Sequence, residues 1–226
     1  MSKQNANRIT QLEYQDFWLH KDKAVGPEHT QRRRIASSMH NIMGKLIRMD
    51  ASIEELESYA QQMEAFESQI SQHGRLDRAE LTKAIANNDA TTLDALNLVD
   101  FSLFSGASTP LTMPMDVWLD GDKVCATANL GMQYEGPPGR VHGGVVCALF
   151  DVLLTRAQSL TKMMGFTGTL TIKFLGPTPI ETDITIEAEI AKVEGRKLFI
   201  VGKILHAGEV TAVAEGIWIQ PKTPII

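Results

Sequence analysis

Cysteine is scarce in this chain of 226 residues, and Cys125 and Cys147 are its whole supply. Both stand in apolar runs. Two such thiols build no disulfide framework, so each reads as a free, buried thiol, and a reducing cytoplasm is the expected location. An excess of positive charge is missing as well. The formal net charge is −5, which argues against a general nucleic-acid-binding surface. The opening residues, MSKQNANRITQ, lack the apolar core of an export signal. No apolar stretch approaches the ~20 uninterrupted residues of a spanning helix. A soluble protein is expected, with no nucleic acid, membrane or metal among its partners. Hydrophobic residues make up 43% and charged residues 22%, so disorder is not indicated either.

What is present falls into two grammars, divided near residues 104 to 112, where SGASTPLTMP (residues 105–114) collects small residues, glycine and two prolines. The expected domains are a helical N-terminal extension, 1–104, and a second domain, 105–226. In the extension, Ile35, Met39, Ile42, Met43, Leu46 and Ile47 recur at three- and four-residue spacing and line one helix face. Ser52 and Glu55 form a capping-box pair that opens a second stripe of Ile53, Leu56, Tyr59, Met63, Phe66 and Ile70. A further helix is expected from Arg78 to about Ile85. The run Arg32-Arg33-Arg34 reads as a solvated helix start. Through residue 100 there are 12 basic and 15 acidic residues, so the run does not belong to a basic domain.

The second domain begins with Asp120-Gly121 between two apolar segments, a hairpin signal. An apolar stretch from Val145 to Met164 then reads as one long helix of about 30 Å, stopped by Gly165 with Lys162 in its last turn. Segments of period-two alternation follow: Leu170, Ile172 and Phe174, then Ile184, Ile186, Ala188 and Ile190. Turns at Gly195 and Gly208 separate further strands, giving a meander of about four. A helix apolar nearly all round must be enclosed, and an antiparallel sheet with one apolar face can wrap it.

The chemistry gathers in YEGPPGRVHGGVVCALFD, residues 134–151. Gly143-Gly144 lets backbone approach a ligand where a helix begins, and the first amides of a helix point outward with positive dipole character. Such an end holds an anion or a developing oxyanion. Asp151 is the anomaly, a carboxylate among Leu149, Phe150, Val152, Leu153 and Leu154, which costs free energy unless it is paired or functional. Gly144 and Asp151 lie about 10 Å apart along one helix axis, an awkward distance for one carbonyl to reach both. Two antiparallel copies of the helix resolve this, each pairing its Asp with the other's N-terminus. A homodimer with shared sites is therefore expected, with a tetramer as the alternative.

The segment HGGVVCALFD resembles the HGG-x6-D motif of hot-dog-fold acyl-CoA thioesterases, the group that includes phenylacetate-pathway thioesterases and mammalian thioesterase superfamily members. YEGPPG before it and KFLGPTPI after it are similar to the same subgroup, and the resemblance covers about residues 109–220. It implies an α+β hot-dog fold, an antiparallel sheet wrapped round a long central helix, here preceded by the α-helical extension. It further implies thioester hydrolysis of an acyl-CoA, with CoA as part of the substrate and no separate cofactor. By position, Asp151 matches the catalytic carboxylate, as general base or nucleophile, and Gly144 the amide that polarises the carbonyl. His142 matches a substrate-orienting histidine, and Thr167 a threonine that assists the carboxylate. Gly143 at the helix start, Lys173, Arg196 and Lys197 are the expected CoA contacts. Leu175-Gly176 stand where many relatives carry basic residues, so the grip on phosphate departs from the family pattern.

Three other functions share this fold. A hydratase is disfavoured because no G-D-x-N-P-[LIV]-H motif occurs. An acyl-CoA-sensing regulator is kept in view by the N-terminal helices, but the acidic balance and the retained Asp151 count against it. A non-catalytic acyl-CoA-binding module is the third.

Overall fold

The computed structural model describes residues 26–74, 99–161 and 163–222. The helix expected from Arg78 to Ile85, and Lys162, lie outside these residues. Among the described residues two helices come first, α1 (Pro27–Leu46) and α2 (Ile53–Ser71). The capping box that opens α2 is formed as expected: the Ser52 hydroxyl accepts from Glu55 N–H while the Glu55 carboxylate accepts from Ser52 N–H. The triple arginine sits inside α1. Arg33 is not merely solvated, since its guanidinium donates twice to Asp100, a carboxylate only 3% exposed.

After the Gly/Pro-rich segment come β1 (Met115–Asp120), β2 (Lys123–Asn129), helix α3 (Gly143–Ala157) and then β3 (Phe166–Phe174), β4 (Asp183–Glu194), β5 (Lys197–His206) and β6 (Glu209–Ile219). All pairings are antiparallel, in the order β1-β2-β4-β5-β6-β3. The hairpin at Asp120-Gly121 forms, and β4, β5 and β6 make the meander. β3 departs from the expected run. It pairs with β6 at the far edge, so residues 175–182 must cross the sheet's end to reach β4. That crossing is anchored to the start of α3: Val141 N–H donates to the Thr178 carbonyl at 2.8 Å, and Ile180 N–H to the Gly139 carbonyl at 3.3 Å.

The sheet curls round α3, which is the hot-dog arrangement. Val146, Leu149, Phe150, Leu153, Leu154 and Ala157 are buried against Ala126, Ile184, Ile186, Leu198, Ile200, Ile204 and Trp218. At about 1.5–3 kcal/mol for each large side chain, burial of the helix face is the main stabilising contribution in this half. Gly202 is where helix and sheet come closest. A Cβ there would stand 2.7 Å from Leu154 Cδ1 and 2.8 Å from the Glu187 carbonyl oxygen, so any side chain would displace Leu154 and strain the pairing of β5 with β4.

The helix is shorter than expected. It runs 15 residues, about 22 Å, and tightens into a 3-10 turn at Gln158–Leu160. The cause is the buried Gln158, whose side-chain oxygen accepts from Gly165 N–H at 2.6 Å and turns the chain back toward β3. One further expectation is corrected: Gly143–Leu160 is long and apolar enough to cross a membrane by composition, with a mean hydropathy of 1.3. Here that apolarity lines the core.

Candidate active site

α3 carries the site at both ends of one flank. Its start is held by the turn before it. Tyr134, buried with its hydroxyl donating to the Thr112 carbonyl at 2.5 Å, accepts on its own carbonyl from His142 N–H at 2.9 Å. Burial pushes the Tyr134 phenol above its ordinary pKa, which keeps it a neutral donor. Gly136 leaves room for this turn, since a Cβ there would meet His142 Cα at 2.8 Å. His142 is exposed and N-caps α3.

The cap changes which amide is open. His142 Nδ1 accepts from Gly144 N–H at 3.0 Å, so the amide expected to polarise a carbonyl is already engaged within the chain. The N–H groups of Val145 and Val146 both bond the His142 carbonyl. Among the described residues, the Gly143 N–H is the first-turn donor without an acceptor. Gly143 is only partly covered, and a first-turn amide without an intrahelical acceptor points outward from the helix end.

Two turns along, Asp151 is half-buried rather than enclosed. Its apolar sequence neighbours face the sheet, and it faces the flank beside β3. Its partner is Thr167, whose hydroxyl donates to Asp151 Oδ1 at 3.0 Å. An arginine does not serve it: no Asp151 ion pair occurs among the described residues, and Arg156 lies on the opposite flank of the helix. Burial lowers the Arg156 pKa to about 10.

A β-bulge brings Thr167 to the carboxylate. Strict alternation along β3 would put Thr167 on the outer face with Thr169 and Thr171. The register shifts between Thr167 and Thr169, so Thr167 stands opposite Trp218, a side chain fully buried on the helix side, while Thr169 stands opposite Ile217. Bulges re-aim side chains in this way beside functional sites. The sequence signal is Gly168, a glycine inside an alternating strand. Next to this pair, Trp218 Nε1 donates to Thr155 Oγ1 at 3.0 Å and fixes the helix against the same two strands.

The expected CoA contacts do not all gather in one chain. Arg196 and Lys197 sit at the β4–β5 turn, with Arg196 Nη1 donating to the Gln220 carbonyl at 2.6 Å. Lys197 and Phe166 both pair with Ile219, so this turn lies near the Thr167 end of β3. Lys173 is exposed near the other end of β3, about 20 Å along the strand. There it borders an outer-face groove of about 380 Å³ with Lys123, Lys203, Glu187 and Glu215. Gly143 belongs to that second end, where a Cβ on it would lie 3.6 Å from Phe174 Cζ.

Comparison with known proteins agrees with this architecture. Residues 138–215 match the Thioesterase superfamily. The chain is 30% identical over 99 residues to acyl-coenzyme A thioesterase THEM4 of Mus musculus, covering 42% of this chain and 43% of that protein. It is 31% identical over 93 residues to acyl-coenzyme A thioesterase THEM5 of Homo sapiens, covering 40% and 37%. The matched segment thus spans less than half the length of these relatives. A crystal structure described as a thioesterase superfamily protein superposes with a TM-score of 0.69 at 25% identity, over 83% of this chain and 94% of that one. That superposition extends over more than the wrapped domain, and takes in a chain of similar overall plan.

Proposed function

We propose that the protein is an acyl-CoA thioesterase that works as a homodimer with two shared sites. One observation carries the reading: the carboxylate and the open amide lie at opposite ends of a helix beside an unpaired strand edge. α3 and β3 run side by side in opposite directions, with Asp151 against Thr167 at one end and Gly143 against Phe174 at the other. β3 pairs only with β6 and leaves its other edge open among the described residues. Gly143 and Asp151 are separated by about 12 Å of helix, too far to act together on one carbonyl. A second copy adding its own β3 antiparallel to this edge brings its Gly143 to this chain's Asp151. The same operation brings its Lys173 toward this chain's Arg196 and Lys197, a basic cluster suited to the phosphates of CoA.

In such a site the thioester oxygen lies against the Gly143 amide and the positive end of α3, where negative charge develops as the carbonyl is attacked. Gly143 takes the role expected of Gly144, and His142 holds the Gly144 amide and orients the turn. Thr167 fixes one Asp151 oxygen and leaves the other to take a proton from water. Water adds to the carbonyl carbon, the C–S bond breaks, and CoA leaves as the thiolate with a free acid as the other product. CoA is substrate throughout and no separate cofactor takes part. A cytoplasmic location fits the two free thiols, and the domain boundary is placed at residues 104 and 105.

The test is thiol release from a panel of acyl-CoA thioesters by the wild type and by Asp151→Asn. The expected result is turnover of at least one thioester and a loss of about 10²–10⁴-fold in the variant. Equal rates would remove Asp151 from the mechanism. A wild type that binds CoA tightly without turnover would put the sensing or binding-module reading in its place.

A further inference from the structure

The N-terminal helices carry two apolar seams that the described residues leave exposed except at the half-buried Met39. Along α1 the seam is Ile35, Met39, Ile42 and Leu46, and along α2 it is Leu56, Tyr59, Met63, Phe66 and Ile70. Both repeat in alternating steps of three and four residues, the spacing of a coiled-coil face. The five α2 side chains are each 37–48% exposed, and no residue of α2 is buried. A helix of 19 residues is marginal in water without tertiary packing, even when it is well capped. Exposed apolar stripes of this extent mark contact surfaces.

The charges select what covers them. α2 holds Glu54, Glu55, Glu57, Glu64 and Glu67 and no lysine or arginine. α1 holds Arg32, Arg33, Arg34 and Lys45 against Glu28 alone. Two α2 helices side by side would set like charges against each other along their whole length, whereas α1 and α2 are complementary. The chain's own α1 does not take the place. Only residues 47–52 join the two helices, yet the seams of both face solvent. α1 is also fixed by its other face: Arg33 bonds Asp100, His40 Nδ1 lies 2.9 Å from the Pro110 carbonyl, and His40 Nε2 lies 2.8 Å from Gln133 Nε2. It is a docked helix with its apolar face turned out.

We propose that α2 of one copy lies along the apolar seam of α1 in a second copy, and reciprocally, closing the four helices of two chains into an intermolecular bundle. A two-fold exchange of this kind satisfies all four seams at once and is self-limiting. It rests on α1 and α2 alone, independently of how the thioester is cleaved.

Ile42 and Met63 lie at the centres of the two seams, so they meet whichever way the helices run. Two differently tagged forms, one Ile42→Cys and the other Met63→Cys, are mixed, refolded together and oxidised, with the untouched chain as the blank for half-buried Cys147. The expected product is a disulfide-linked dimer carrying both tags, in several-fold excess over either form alone. Reversing Arg34 and Lys45 to Glu removes it, and reversing Glu57 and Glu64 to Lys in the other form restores it. The doubly substituted chain gives covalent dimers. Internally linked monomers from that chain would overturn the proposal in favour of a hairpin within one copy. Absence of the mixed product, with thiols shown to be accessible to alkylation, would overturn it outright.

Discussion

α3 and α2 are of similar length and both carry wide apolar faces, yet one is the core of the protein and the other packs against nothing among the described residues. α3 is entered through Tyr134, Gly136 and the His142 cap and is sheathed by six strands. α2 has a complete capping box and every residue in solvent or close to it. Periodicity sets which face of a helix is apolar. It carries no information on whether strands of the same chain or a helix of another one will cover that face. α1 stands between the two cases: it docks through Arg33, Ala36 and His40, and leaves Ile35, Ile42 and Leu46 outside.

The largest effect expected separates these two kinds of burial. Leu149→Ala, at a side chain with no exposure, should cost about 2–5 kcal/mol of unfolding free energy by urea titration, through lost contacts and a residual cavity. That loss should be the same at every protein concentration. Met63→Ser should instead reduce stability only where a second copy is present, so its loss shrinks on dilution. If the two losses respond alike to concentration, the distinction between an internally and an externally covered helix fails.

The wrapped half was far more legible in sequence than its site. Alternation in Ile184, Ile186 and Ala188 and the turns at Gly195 and Gly208 follow from side-chain geometry within one strand or turn, and these elements formed as read. Where β3 docks is a long-range matter. Its own alternation does not say whether β4 or β6 is its neighbour. The hydrogen bonding of the first turn was illegible for a similar reason, because a motif with two adjacent glycines does not reveal that His142 caps the second. The resemblance supplied Thr167, and the bulge at Gly168 gives the physical reason that it reaches Asp151. The extension's stripes were visible, and what covers them was not, because the covering surface is not in the same segment of chain.

A mid-sized effect tests the bulge. Thr167→Ala removes a hydroxyl that donates to a carboxylate, a bond worth about 1.5–3 kcal/mol when one partner is charged. Activity should fall roughly tenfold or more, and the loss of stability should lie at or below the lower end of that range because the position is exposed. Thr167→Ser, which keeps the hydroxyl, should recover most of the rate. A Ser variant as slow as the Ala variant would mean that the methyl group or the strand edge matters here, and that the hydrogen bond does not.

The smallest effect lies on the outer face of the sheet, where the wrapped half meets solvent as the extension does. Burial by itself would raise the Glu187 pKa, but hydrogen bonds from Lys123 and Lys203, both at 3.3 Å, outweigh it and hold the carboxyl below its ordinary value. The Lys123 ammonium is correspondingly raised, chiefly by its bond to Glu187. Because the folded-state pKa of Glu187 is depressed, its contribution is present above the unfolded value of about 4.3 and is lost as pH falls through the folded one. Glu187→Gln should therefore lower stability slightly at neutral pH and flatten the acid limb below about pH 4.3. All three groups are well hydrated, so the change should be a fraction of that for Leu149→Ala. An unchanged acid limb would show that water and salt screen this cluster as completely as they screen the glutamates of α2.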